Sequence, residues 1–346
     1  MTGLQRCEAG TRKSERPNMQ KSEEIGESRR SGQAAEHRLY TFTVGICATG
    51  NPPPLHPLLE TILSGQVPGS LLNKVVLVAS DCTDETLRMA RRIAAGDQRL
   101  RLLEHEKRTG KADAINEVFR NTEGDFLVYV NADALIGADS IPILLKSIEE
   151  DDAIGFVSGR PVFARPRGVI SDVLDVMWTS FNLLSSDPSQ SQQTNHGTDE
   201  LMVIRSDLLS ELPAGVVNDG AYIAGRIRER GFRIAFQPEA VVQIDVPRRM
   251  IDLIRQRRRI LFGHIQVKRL LGKAPRTVET MMFFSPLQSF EIVIRMLANK
   301  PKRVLVIPVA AIGELIALAG ALWDTFVSKP DHAIWKRYEQ VGPRAA

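Results

Sequence analysis

Short apolar runs alternate with amphipathic stretches along the chain from residue 41 to about residue 156. The apolar runs are rich in Val, Ile and Leu, which is typical of buried strands, and the stretches between them repeat apolar residues at helical spacing. The predicted strands are 41–47, 74–79, 100–104, 125–130 and 154–157, and the predicted helices are 56–65, 84–95, 110–121 and 139–149. This alternation predicts an α/β fold with a mainly parallel sheet that is covered by helices on both faces.

The pattern is less regular after residue 157. A helix is predicted over 169–184, followed over 185–198 by a loop rich in Ser, Gln, Asn and Asp, which is typical of a mobile loop over a site. Further predicted elements are a strand at 201–205, a helix at 219–230 and strands at 233–236 and 240–244.

Two C-terminal segments differ from the rest. Residues 247–276 contain ten Lys or Arg and one acidic residue, Asp252, so their charge of +9 exceeds the net charge of +4 for the whole chain. Residues 304–323 are apolar except for Glu314, and about 20 such residues are enough to cross a bilayer. Glu314 shares a helical face with alanines 310, 317 and 321, a face suited to packing against another helix. Both a membrane-spanning helix and a buried helix of a soluble core remain open, and the amphipathic stretch 278–298 favours membrane attachment.

Composition narrows the class of protein. With 43% apolar and 25% charged residues, the chain is neither collagen-like nor disordered as a whole. Its three cysteines, Cys7, Cys47 and Cys82, match no zinc pattern and favour a reducing compartment. Residues 1–38 hold eight Lys or Arg and six Glu with few apolar residues, which predicts disorder.

Candidate functional residues are expected just after the predicted strands, because ligands of such sheets bind beyond the carboxyl ends of the strands. Asp81 follows the second predicted strand and Asp133 follows the fourth, while Gly110 and Lys111 open a helix. A helix start with a lysine suits an anion, and a carboxylate at a strand end suits a divalent cation. The structural alternatives are turn or cap chemistry, with Thr83 or Asp84 as the cap near Asp81, a solvated lysine, and an N-cap at Asp133.

Two further groups have a structural alternative of their own. Asp219 opens the helix at 219–230 and could simply cap it. Gln256, Arg257 and Arg259 lie in the basic segment, where guanidinium groups could neutralise a diphosphate or instead face solvent or lipid.

The order and spacing of these groups resemble the family 2 glycosyltransferases, which are inverting enzymes with the GT-A fold. The resemblance covers roughly residues 42–271 and is most specific over Gly110-Lys111-Ala112 to Ala114-Ile115-Asn116 and at Asn131-Ala132-Asp133. These segments look like the GKA-x-ALN and D-x-D motifs of the family. Weaker matches are Gly155 to Gly159, Gly197 with Arg205, Asn218-Asp219, Gly231 to Ala240, and Gln256 to Arg259 in place of Q-x-x-R-W.

The resemblance implies a role for each matching residue. Asp81 would contact the nucleotide base and Lys111 the nucleotide, Asp133 would ligate Mg²⁺ or Mn²⁺, and Asp219 would be the general base. The amide of Asn131, in place of the first aspartate of D-x-D, would hydrogen-bond the ribose or a water on the metal. The implied contacts of the diphosphate or the acceptor are Gln256, Arg257 and Arg259.

Two other departures from the family pattern affect the expected chemistry. Asn218 replaces an acid, and losing that like charge should leave Asp219 more readily ionised. Ile260 replaces the tryptophan that packs near the acceptor sugar in processive synthases, so a single-sugar transferase is favoured.

The resemblance therefore implies transfer of a sugar from a nucleoside-diphosphate sugar, with a UDP-sugar favoured, to an acceptor hydroxyl, in the making of cell-envelope polysaccharide and without nucleic acid. Together with the apolar and basic C-terminal segments, it predicts a lipid or glycan acceptor at the cytosolic face of a membrane. The alternatives are a non-catalytic nucleotide-sugar-binding relative and a sugar-phosphate nucleotidyltransferase. A dehydrogenase is excluded because the turn at 48–54 has no G-x-G-x-x-G.

The predicted organisation divides the chain into five parts. They are a disordered segment at 1–38, the GT-A domain at 39–246, a basic helix at 247–276, a hydrophobic helical segment at 277–330 and a tail at 331–346.

Overall fold

A computed structural model of the protein describes residues 39–332 apart from 165, 167, 187–196, 276, 278–279 and 281–285. The disorder expected for 1–38, most of the loop expected at 185–198 and most of the tail at 331–346 lie outside the described residues. Within them an eight-stranded sheet has the order β3-β2-β1-β4-β7-β6-β8-β5.

The strands are β1 Tyr40–Gly50, β2 Ser70–Cys82, β3 Leu100–His105, β4 Phe126–Asn131, β5 Leu135–Ile136, β6 Ile154–Phe163, β7 Leu201–Arg205 and β8 Arg233–Ile244. The helices are α1 Leu55–Ser64, α2 Asp84–Gly96, α3 Lys111–Arg120, α4 Ser140–Glu149, α5 Val169–Ser186, α6 Asp219–Glu229, α7 Met250–Leu271, α8 Pro286–Asn299 and α9 Ile307–Trp323.

The sheet is parallel in its first half and mixed in its second. Strands β3, β2, β1 and β4 run parallel, with Val44 of β1 opposite Val128 of β4. Strand β7 pairs antiparallel with both β4 and β6, and β8 runs parallel to β6. The expected α/β class is confirmed, and the antiparallel β7 brings the start of that strand to the carboxyl edge of β4.

Alternating side chains of the central strands feed two apolar cores, one on each face of the sheet. Val128 and Val130 of β4 pack into the core that also contains residues of α1 and α4. Tyr129, between them, packs on the other face with residues of α3 and α6. This period-two alternation is what a doubly covered sheet requires.

Two strands differ from the sequence pattern. The predicted strands at 233–236 and 240–244 are one strand, β8, in which the pairing with β6 jumps from Gly159 opposite Gln237 to Arg160 opposite Val241. The guanidinium of Arg160 donates to the carbonyl of Pro238 at 2.6 Å inside this bulge. The two-residue β5 was not expected, because so short a strand has no periodicity to detect.

The C-terminal helices pack on the domain. On α9 the expected small-residue face is confirmed, since Ala317 and Ala321 are fully buried against Leu261 of α7. Glu314 on the same face pairs with Arg257 of α7 at 2.6 Å. By length and composition alone, the helical stretch Ile307–Ser328 could cross a membrane.

Asn116 in α3 has a structural role that the motif alone did not indicate. Its buried side-chain amide donates to the carbonyl of Leu212 at 2.9 Å, and its oxygen accepts from the Leu212 N–H at 2.8 Å. It therefore holds the segment that leads to α6.

We expect Asn116→Ala to lower the free energy of unfolding by about 2–4 kcal/mol, because two buried backbone groups lose their partners. Chemical denaturation followed by circular dichroism measures this. Asn73→Ala, at an exposed position of β2, is the matched control and should change the midpoint little. Equal effects of the two variants would contradict a structural role for Asn116.

Candidate active site

The candidate site lies at the carboxyl edge of the parallel strands. Cys47 near the end of β1 pairs with Asn131, the last residue of β4. Asn131 then contacts Glu200 twice: its backbone N–H donates to the Glu200 carbonyl at 3.2 Å, and its side-chain amide donates to Glu200 Oε2 at 2.7 Å. The residues just before β7 are thereby fixed at the end of β4.

Three segments meet at the ammonium group of Lys111, the first residue of α3. Its Nζ lies 2.8 Å from Asp199 Oδ2 and 3.0 Å from Asp219 Oδ2. It also lies 5.7 Å from the centre of the Tyr129 ring. Lys111 thus binds two carboxylates of its own chain, which the expectation of a nucleotide contact did not include.

Asp219 is the first residue of α6, and its carboxylate is buried with 4% of the side chain exposed. The reading in which Asp219 caps this helix is wrong, because Asn218 is the cap: its side-chain oxygen accepts from the Ala221 N–H at 3.1 Å. Burial raises the pKa of Asp219, Lys111 opposes that shift, and Asp199 adds to it. The Asp219 carboxylate therefore does not serve as the helix cap. Its raised pKa gives it the basicity that suits a proton acceptor.

Two glycines allow the segment that carries Asp199 to pack closely against Phe156 and the start of α6. Gly197 has a φ of +69°, and a Cβ on it would overlap the ring of Phe156. A Cβ on Gly220, the second residue of α6, would lie 2.9 Å from the Cβ of Asp199. Larger residues at either position would displace the segment that carries Asp199.

The site contains more acidic than basic side chains. Burial lowers the pKa of Lys111, but Asp199 and Asp219 raise it to well above its usual value. Burial, followed by the charges of Asp199 and Asp133, raises the pKa of Glu200 to about 8. Burial also raises the pKa of the Cys47 thiol to about 12, so this cysteine is not an activated nucleophile.

Asp133 follows β4 by two residues and is half-buried. It does not cap a helix, since α4 begins at Ser140 with Asp139 at the N-cap position. No group of three or more His, Cys, Asp or Glu able to hold a metal ion occurs among the described residues.

Asp81 is exposed near the end of β2, in a left-handed backbone conformation with a φ of +53°. Non-glycine residues rarely adopt this conformation, and it occurs often at ligand sites. The expected cap after it is confirmed at Thr83, whose hydroxyl accepts from the Thr86 N–H at 3.3 Å.

Three consecutive arginines of α7 contact residues in or after α9. Arg257 pairs with Glu314 at 2.6 Å, Arg258 Nε donates to Asp324 at 2.6 Å, and Arg259 Nε donates to the His332 carbonyl at 3.3 Å.

Another part of α7 contacts the segment before Asp219. Gln266 accepts from the Val217 N–H and donates to the Gly215 carbonyl, each at 2.9 Å. Gly263 is close enough to Asn218 that a Cβ on it would lie 2.7 Å from the Asn218 Cβ. Gln256 is half-buried on the same helix.

Sequence reasoning missed Asp199 and Glu200. The available signal was an acidic pair directly before a predicted strand, two residues after Gly197. Only the pairing of Leu201 with Val130 in the antiparallel β4–β7 ladder shows that this pair faces the end of β4.

Comparison with known proteins decides the family. The family model described as "Glycosyltransferase like family 2" matches residues 37–263, which is well over half of the chain. The chain belongs to this family. The expectation of a family 2 glycosyltransferase is confirmed at this level.

Curated relatives of this family 2 chain are distant. The poly-β-1,6-N-acetyl-D-glucosamine synthase of Staphylococcus aureus is 18% identical over 228 residues, which are 65% of this chain and 55% of that protein. The chain thus spans about half the length of that relative. The glycosyltransferase AglD of Haloferax volcanii is 36% identical over 106 residues, 28% of this chain and 16% of that protein.

A solved structure supports the fold. The mannosyltransferase PcManGT from Pyrobaculum calidifontis, determined in complex with GDP-Man and Mn²⁺, superposes with a TM-score of 0.61 at 24% identity. The match covers 85% of this chain and 88% of that one. The expected GT-A fold is confirmed.

Proposed function

We propose that the chain is an inverting, non-processive glycosyltransferase that moves one sugar from a nucleoside-diphosphate sugar to a hydroxyl of a lipid or glycan. The observation that carries the proposal is the buried carboxylate of Asp219, 3.0 Å from Lys111 at the carboxyl edge of the sheet. A base for hydroxyl activation needs this combination of elevated basicity and a fixed position.

In the proposed step, Asp219 accepts the proton of the acceptor hydroxyl while that oxygen attacks the anomeric carbon. The bond from this carbon to the diphosphate oxygen breaks on the opposite face, so the configuration inverts. The reaction needs one general base and no covalent sugar–enzyme intermediate.

Asp219→Asn should keep donor affinity within about twofold and lower transfer by about 10²–10⁴-fold, the usual contribution of a general base. Release of free nucleoside diphosphate, measured over a panel of UDP-, GDP- and dTDP-sugars with candidate acceptors, reports transfer, and calorimetry reports donor binding. Asp207→Asn, at an exposed position, is the matched control. Undiminished transfer by Asp219→Asn would remove the proposed base, and donor binding without turnover by the wild type would favour the non-catalytic relative.

Lys111 is proposed as a positioning residue for Asp219. Its contact with Asp199 fixes the ammonium group, and its charge favours the ionised form of the Asp219 carboxylate. The competing role, contact with the nucleotide, is the one that the family resemblance implies.

The two roles of Lys111 give different pH profiles. Lys111→Met removes the cation that lowers the pKa of Asp219, so the pKa of Asp219 rises in this variant. The acidic limb of kcat/KM should therefore move to higher pH by about one unit or more, and each unit corresponds to roughly 1.4 kcal/mol. Lys111→Arg should retain the wild-type limb. An unshifted limb together with a raised donor KM would instead assign Lys111 to the nucleotide.

A divalent cation, Mg²⁺ or Mn²⁺, fits Asp133. Its carboxylate oxygens are the ligand type that these ions take, and its charge acts on Glu200, whose pKa it helps to raise. When bound, such an ion offsets charge that develops on a departing diphosphate. The related mannosyltransferase was solved with Mn²⁺.

Asp133→Asn should weaken Mn²⁺ binding at least tenfold in the presence of UDP or GDP, because the variant loses the proposed carboxylate ligand. Calorimetric titration with Mn²⁺ measures this without turnover. Asp139→Asn, an exposed position with no side-chain cap bond, should leave the affinity unchanged. Equal Mn²⁺ affinities in all three proteins would exclude Asp133 as the ligand.

For the donor we propose that Asp81 contacts the base and Asn131 the ribose, since both lie where β2 and β4 end. A UDP-sugar is proposed first, and GDP-mannose, which the related mannosyltransferase binds, second. Gln256, Arg257 and Arg259 remain proposed contacts of the diphosphate or acceptor. The apolar C-terminal helix supports a membrane location, proposed on the cytosolic side, and a lipid-linked acceptor.

A further inference from the structure

The outer face of α9 is unusually apolar for a protein surface. Thirteen of the eighteen exposed large hydrophobic side chains among the described residues lie between 287 and 327. All the exposed residues of α9 itself are apolar. We call the face formed by Leu305, in the turn just before α9, and by Val309, Ile312, Leu315, Ile316 and Trp323 the α9 apolar surface. Exposed apolar faces of this kind mark interaction sites.

The opposite face of α9 packs against α7. In the first half of α9, Gly313 lies beside Met250 of α7, and just after the last residue of α9, Asp324 pairs with Arg258 of α7. Beyond the end of α9, the guanidinium of Arg269 lies 5.2 Å from the ring of Phe326.

Helix α7 is in turn attached to the catalytic part of the chain. Gln266 of α7 bonds to the backbone at Gly215 and Val217, just before Asp219. Through α7, α9 is therefore fixed against the domain and does not project from it.

This packing argues against a helix that crosses a bilayer. Arg255, Lys268 and Arg269 are exposed on the helix that runs beside α9. A spanning α9 would carry these charges into the hydrocarbon or break its pairs with Arg257 and Arg258, and each charge at the bilayer centre costs about 2.5–3.5 kcal/mol on insertion scales.

Cations lie at both ends of the segment that carries the α9 apolar surface. Arg269 lies over Phe326, Lys302 precedes the exposed Val304, and Lys329 follows the exposed Val327. An apolar helix face bordered by basic side chains matches an anionic membrane surface. A second copy of the chain would instead bring like charges together at the rim.

We propose that α9 lies in the plane of an anionic membrane, with its apolar surface inserted at the level of the headgroups and both its ends on the side of the catalytic domain. This deepens the membrane location proposed above. The tests below use no sugar donor, so their failure is distinct from failure of the proposed reaction.

The first test is sedimentation with vesicles of phosphatidylglycerol or of phosphatidylcholine. The full chain should bind the anionic vesicles at least tenfold better, and the double variant Ile312→Glu, Ile316→Glu should lose at least tenfold of that binding. Leu71→Glu changes an exposed leucine far along the chain from α9 and should bind as the wild type does. Unchanged binding by the double variant, or a dimer in solution that the double variant dissociates, would overturn the proposal.

The second test decides between lying in the plane and spanning. Asn299→Cys and Pro330→Cys each add one thiol, beside the three native cysteines, at an exposed position on either side of α9. With the full chain on sealed vesicles, an impermeant maleimide outside should label both positions to the same extent, as measured by mass spectrometry of each peptide. Labelling of only one position until the vesicles are opened would show that α9 spans and would overturn the proposal.

Discussion

The ammonium group of Lys111 joins parts of the chain that are up to 108 positions apart by numbering, at the start of α3, before β7 and at the start of α6. Its two carboxylate partners, the buried Asp219 and the partly exposed Asp199, depend on it, because two adjacent like charges without a cation would repel each other and resist ionisation. Two nearby glycines permit this arrangement. Gly110, with a φ of +113°, directly precedes α3, and Gly220 leaves space for the side chain of Asp199. The candidate site is therefore an electrostatic unit as much as a set of separate motifs.

Much of the fold could be predicted because each central strand buries both faces, and such strands are continuous apolar runs that a sequence displays directly. Strand β7 was expected over the residues where it occurs, and α3 within one residue at each end. The sequence could not show that β7 pairs antiparallel with β4, since pairing depends on distant residues. Asp199 and Glu200 were missed for that reason. Asp133 and Asp219 were proposed because one follows and the other opens an element that the pattern predicts. The bulge in β8 was read as a break, because local periodicity is lost where the register shifts.

The basic segment shows a second limit of reasoning from sequence. Its charge suggested a diphosphate or a lipid headgroup as the partner, and did not show that Arg257 and Arg258 also pair with acids 57 and 66 residues further along the chain. A charge count cannot reveal such internal pairing. In contrast, the position of Glu314 among alanines was informative, because small residues at helical spacing report how closely another helix can approach.

The cap made by Asn218 has a consequence for how the chain adjusts the chemistry of its neighbour. Because the asparagine occupies the cap position, Asp219 lies inside the first turn of α6, where the peptide dipoles of the helix place partial positive charge. A neutral amide performs the structural task, and the carboxylate beside it experiences the field of eleven aligned peptide units without a second anion nearby in sequence. The helix backbone thus stabilises the ionised form of Asp219 without carrying a net charge, and it does not itself titrate. The ionisation of this carboxylate therefore depends on secondary structure as well as on side chains.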